Sequence, residues 1–227
     1  MNIKIDRDIH KKLLHYVEHS ILFGNPNGAD TDVLCILAPN WEMDYAITNT
    51  NHQLHYKEED TKTDYLYTTP RALVRSIIFG ENTINMELLM EGKFKDTPLA
   101  FLDEIHNRGS RSPFITKKTI RAFLGMSERD LKQAKGDNKE KKLKFAELYY
   151  NYVCVWLGLP IKVPNLDLTV GDVKDLRGML ESFCKEKGIP DILDPKIVME
   201  LHMRLCMLTD IKYLDIPELT KIYHEEV

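Results

Sequence analysis

His19-Ser20-Ile21-Leu22-Phe23-Gly24-Asn25-Pro26-Asn27-Gly28-Ala29-Asp30-Thr31-Asp32-Val33-Leu34 is the stretch around which the rest of the chain is organised. A hydroxyl residue leads into a short apolar run, a loop rich in Gly, Asn and Pro follows, and two aspartates stand at the mouth of a second apolar run ending at Leu37. On a strand, residues i and i+2 share a face, so Asp30 and Asp32 are expected to project together from one strand end. Two carboxylates held side by side repel unless a cation lies between them. Oxygen donors of this kind suit Mg²⁺, which takes one or two protein carboxylates and completes its shell with water and substrate phosphates. The backbone N–H groups of the loop, with Ser20, Gly24, Asn25 and Gly28, are the expected phosphate cradle. The stretch therefore reads as a metal and nucleotide site. The bland alternative for Asp-x-Asp is an ordinary solvated turn.

Outward from this stretch, the pattern is mixed. Residues 6 to 15 read as a helix that Asp6 or Asp8 can cap, with Ile9, Leu13 and Leu14 as its apolar stripe. Tyr16 to Glu18 reads as a short strand leading to Ser20, and residues 31 to 38 as the next strand. Residues 41 to 50 are ambiguous. His52 to Tyr56 and Thr63 to Tyr67 alternate like the arms of a hairpin around an acidic turn. Thr68-Thr69-Pro70 opens a helix that Gly80 closes.

Beyond residue 95 the chain reads as helical: 98 to 107, 116 to 124 ended by Gly125, another capped by Ser127, then 139 to 157, 170 to 186, 195 to 208 and 217 to 224. The expected fold is α+β. A small mixed sheet occupies residues 1–95, and a helical C-terminal domain occupies 96–227.

Composition excludes several classes. An apolar share of 43% and a charged share of 29% are those of an ordinary globular chain rather than a disordered one. A formal net charge of −4 leaves any nucleic-acid contact to a local patch. Cys35, Cys154, Cys184 and Cys206 are scattered, as expected of reduced thiols in a cytoplasmic protein. No apolar run is long enough for a membrane span, and the N-terminal residues carry no signal-peptide core.

Ser20, the nine-residue spacer 21 to 29 and Asp30-Thr31-Asp32 together resemble the DNA polymerase β nucleotidyltransferase superfamily, whose signature is Gly-Ser or Gly-Gly, a spacer, then Asp-x-Asp. The chain looks closest to the nucleotidyltransferases associated with RNA repair. Phe23-Gly24 and Ala29 to Asp32 fall on that family's motif positions, with His19 where it has its first glycine. Asn82 and Glu87-Leu88-Leu89 fall on a second motif, and residues 112 to 126 resemble a third more loosely.

The resemblance implies a nucleotidyltransferase core, Mg²⁺ or Mn²⁺ as cofactor, a nucleoside triphosphate as donor, and an RNA end or a protein hydroxyl as acceptor. It also implies a third metal-binding carboxylate on a later strand. Asp64 is the choice, because it begins a strand, with Asp60 in reserve; a solvated strand-end aspartate is the bland reading. Glu87 is either a substrate-orienting residue or a surface partner on a helix. The basic stretches 108–112, 117–118 and 132–144 are either phosphate contacts or solvated faces. His19, and a family Lys/His/Arg helix not kept around Lys141, motivate the alternative of a nucleotide-binding regulator without turnover.

Overall fold

The computed structural model describes residues 2–24, 30–38, 53–80, 82–161 and 168–208. The expected loop residues Asn25 and Gly28, the ambiguous stretch 41 to 50, and the expected helix at 217 to 224 lie outside the described residues.

The described residues form a five-stranded mixed sheet and eight α-helices, with one short 3₁₀ turn. The strands are β1 (Asn2–Lys4), β2 (Val17–Phe23), β3 (Thr31–Leu37), β4 (Gln53–Glu58) and β5 (Thr63–Thr68), in the spatial order β1-β4-β5-β3-β2. The central pair, β3 and β5, runs parallel; β2 pairs antiparallel with β3 and β4 antiparallel with β5, while β1 runs parallel to β4. β3 lies inside the sheet, between β5 and β2: Val33 to Leu37 are all buried, and a strand apolar on both faces needs cover on both.

The helices are α1 (Arg7–Leu14), α2 (Pro70–Ile78), α3 (Thr83–Met90), α4 (Ala100–His106), α5 (Lys117–Gln133), α6 (Lys139–Leu157), α7 (Val170–Lys187) and α8 (Pro195–Met207). Asp6 caps α1 by accepting from the Asp8 and Ile9 N–H groups at 2.9 and 2.8 Å. Ile9 and Leu13 of α1 then bury against Val33, Cys35, Leu37, Leu54 and Tyr67 on one face of the sheet. His10 joins them: its ring stacks on Tyr56 at 3.9 Å, and its Nδ1 lies 2.7 Å from the Tyr67 hydroxyl.

Contacts divide the chain into two compact units. One takes the described residues of 1–77, 88–104 and 199 onward; the other takes 78–87 and 105–198. The first holds the sheet. The second is built on α5, α6 and α7, with Phe123 edge-on to Tyr149, Tyr152 and Trp156 at 5.7, 5.8 and 4.8 Å between ring centres.

Two expectations are corrected in detail. β2 runs through Ser20 to Phe23 instead of stopping before it. The two helices expected around Gly125 are one, α5. Ser127 caps nothing: its buried hydroxyl donates to the Ala146 carbonyl of α6 at 2.8 Å, and that bond rewards a continuous helix over a break.

Candidate functional site

The sheet alternation decides which side chains can meet. Val33, Cys35 and Leu37 face α1, so Asp32, Leu34 and Ile36 face the other way. On β5 the same rule turns Tyr65 and Tyr67 toward α1 and Asp64, Leu66 and Thr68 away. The parallel register pairs Asp32 directly with Asp64. Neighbouring strands lie about 4.8 Å apart, so two carboxylates stand side by side on one face at the strand ends. Both are half-buried.

Two connections hold this end of the sheet. The Glu59–Lys62 turn joins β4 to β5, with Lys62 in a left-handed conformation at φ 52°, and the Lys62 carbonyl accepts the Thr31 N–H at 2.9 Å. At the end of β2, Gly24 has φ 81°, and a Cβ placed there meets Asp32 Oδ2 at 2.6 Å. Glycine is therefore required twice: for the backbone angle, and for the space the carboxylate fills.

The expected residues divide as follows. Asp32 and Asp64 come together, with Gly24 against Asp32. Asp30 is exposed and lies just before β3, whose register begins at Thr31, so alternation fixes the face of Asp32 and not that of Asp30. Ser20 is not brought to them. It pairs with Cys35 in the β2–β3 ladder, and its Oγ lies 4.0 Å from Cys35 Sγ, on the α1 face of the sheet. Ser20, expected in the phosphate cradle, thus lies within the longer β2, while Asn25 and Gly28 of that cradle fall outside the described residues. The Cys35 thiol there is pushed up to about 11 by burial and plays no part on the acidic face.

His55 is the residue that the sequence reading missed. On β4 it shares the face of Asp64, and its Nε2–H donates to Asp64 Oδ1 at 3.1 Å. The signal was present: with a four-residue turn after Glu58, alternation puts His55 and Lys57 on the face of Asp64. Lys57 is the exposed register partner of Asp64 and forms no ion pair among the described residues.

Other candidates are engaged elsewhere. Glu87 is half-buried and hydrogen-bonded with the Tyr149 hydroxyl, whose ionisation is pushed up first by burial and then by this carboxylate. Arg111 donates to the Lys187 and Gly188 carbonyls at the end of α7, at 2.8 and 3.0 Å. Lys117 pairs with Glu181 at 2.9 Å and with Asp191. Lys132, Lys142 and Lys144 pair with Glu128, Asp130 and Glu140.

Among the described residues no group of three or more His, Cys, Asp or Glu is gathered closely enough to hold a metal, and no helix is long and apolar enough to cross a membrane. Compared with protein-family models, with curated proteins and with solved structures, the chain matches none.

Proposed function

We propose that the protein is a metal-dependent nucleotidyltransferase that moves a nucleoside monophosphate from a triphosphate to an acceptor hydroxyl. One observation supports this above the others: Asp32 and Asp64 are register partners on parallel strands, beside a glycine whose missing side chain leaves room for the Asp32 carboxylate. The donor set fits Mg²⁺ or Mn²⁺, since both groups are hard oxygens and substrate phosphates can complete the shell. When bound, such an ion supplies positive charge to the triphosphate oxygens and lowers the pKa of a coordinated hydroxyl.

In this reading Asp32, with Asp30 at the strand mouth, anchors the ion. Asp64 would offer the ion the oxygen not held by His55 and help draw off the acceptor's proton. The acceptor oxygen bonds to the α-phosphorus as the bond to the bridging oxygen breaks, and pyrophosphate leaves. Gly24 keeps a side chain out of the space beside Asp32. Ser20 has no part.

The test incubates the protein with each labelled triphosphate, Mg²⁺ or Mn²⁺, and RNA or protein acceptors. Label transfer that is lost in Asp32→Asn and in Asp64→Asn supports the reading; transfer that survives both overturns it. The position of Ser20, facing Cys35 and away from the acids, favours a second reading of nucleotide binding without turnover. Metal-dependent thermal stabilisation by a triphosphate without label transfer selects that one.

A further inference from the structure

We infer that His55 is the positioning residue that sets the orientation of the Asp64 carboxylate for cation binding; this rests on the site proposed above. Asp64 stands opposite Asp32, and like charges directly opposite on neighbouring strands push each other aside. Without restraint, the Asp64 side chain is expected to rotate toward solvent or toward Lys57, its register partner on β4. Neither is observed. The bond at 3.1 Å comes from His55, two residues from Lys57 along β4, in a diagonal contact across the ladder.

The chemistry of the donor matters. A lysine ammonium is a mobile point charge that competes with a metal for the carboxylate. An imidazole N–H is a single directed donor. It occupies one carboxylate oxygen, Oδ1, and leaves Oδ2 for another partner.

His55 is itself held firmly. Its carbonyl accepts the Ile5 N–H at 3.0 Å, and it is the register partner of Lys4 on β1. The ring therefore projects from a strand paired on both sides. The exposures also bear on the point. The His55 and Asp64 side chains are 21% and 25% accessible, enough for solute to reach the pair and too much for the bond to add greatly to stability. Hydrogen bonds to ligating groups tune metal affinity by about 10- to 100-fold when removed. This bond is of that kind.

The experiment measures Mn²⁺ affinity of the full chain by electron paramagnetic resonance of the free ion, with and without a non-hydrolysable triphosphate, and follows folding by circular dichroism. His55→Ala and His55→Phe remove the donor, the second keeping the ring volume. His55→Gln restores an N–H near the place of Nε2, and Lys57→Met removes the neighbouring charge. The expected result is a loss of about 10-fold or more in His55→Ala and His55→Phe, recovery of most of it in His55→Gln, and no loss in Lys57→Met. Wild-type affinity in a folded His55→Phe, or His55→Gln no better than His55→Phe, overturns the inference. If the wild type binds Mn²⁺ and Asp64→Asn does not, while His55→Phe binds normally, the site stands and the role of His55 alone falls. If the wild type binds no Mn²⁺, both fall together.

Discussion

Gly24 concentrates two demands in one residue. Its φ of 81° strains any L side chain, and a Cβ sits 2.6 Å from Asp32 Oδ2. Gly24→Ala is therefore expected to lose about 1–2 kcal/mol of stability in urea denaturation and to displace the Asp32 carboxylate, weakening Mn²⁺ binding. Asp64→Asn is expected to act in the opposite sense. It relieves the repulsion with Asp32 and keeps an acceptor for His55, so in EDTA the variant should melt above the wild type, with a gain of up to about 1 kcal/mol. A lower melting temperature contradicts the like-charge account.

On the opposite face of the sheet, burial holds the His10 pKa below its ordinary value, against a smaller upward pull from Glu58, and Arg7 lowers it further. The native state then binds fewer protons than the unfolded chain as pH falls below about 6.5. The associated stability is present above that value and is lost as pH falls toward the depressed pKa. His10→Leu should flatten this slope in denaturation curves between about pH 7 and 5. Burial also lowers the pKa of His106, so a residual slope of the same sign is expected.

Among the elements, helix ends test local chemistry best. Thr169 and Asp172 form a reciprocal cap on α7: the Thr169 hydroxyl accepts the Asp172 N–H at 3.2 Å, and Asp172 Oδ2 accepts the Thr169 N–H at 2.7 Å. Thr169→Ala should cost about 1 kcal/mol, measured by chemical denaturation, since the Asp172 N–H loses its partner. Signals of this local kind were the ones legible in the sequence. Asp6, Pro70, Gly158 and Gly188 mark ends where expected, and the alternation in 63–67 was read correctly, the strand ending one residue later.

What the sequence hid depended on distant partners. The end of β2 was misplaced although Ser20 to Phe23 carry no turn signal against strand; the antiparallel ladder to β3 extends it. Gly125 was read as a stop because its propensity cost was visible, while the bond from Ser127 to Ala146 that outweighs it was not. Within the site, the Asp32–Asp64 register follows from which strand β5 chooses as neighbour, a choice that alternation alone leaves open.

At the scale of the whole molecule, neither compact unit is one continuous stretch of chain. Residues 88–104 and those described from 199 onward belong with the sheet. Arg204 of α8 reaches Glu104 at 3.6 Å, and Leu99, Leu102 and Leu201 are completely buried. A fragment ending at residue 95 is therefore expected to lack a cooperative unfolding transition by circular dichroism, because it discards part of its own core. The parallel pairing of β3 with β5 has a kinetic consequence. The β4–β5 hairpin closes over a four-residue turn and can form within microseconds, whereas β3 must find β5 across the intervening stretch and bring two negative charges into line as it docks. Assembly of the acidic pair is thus a late and electrostatically opposed event, and a divalent ion supplied during refolding should hasten it.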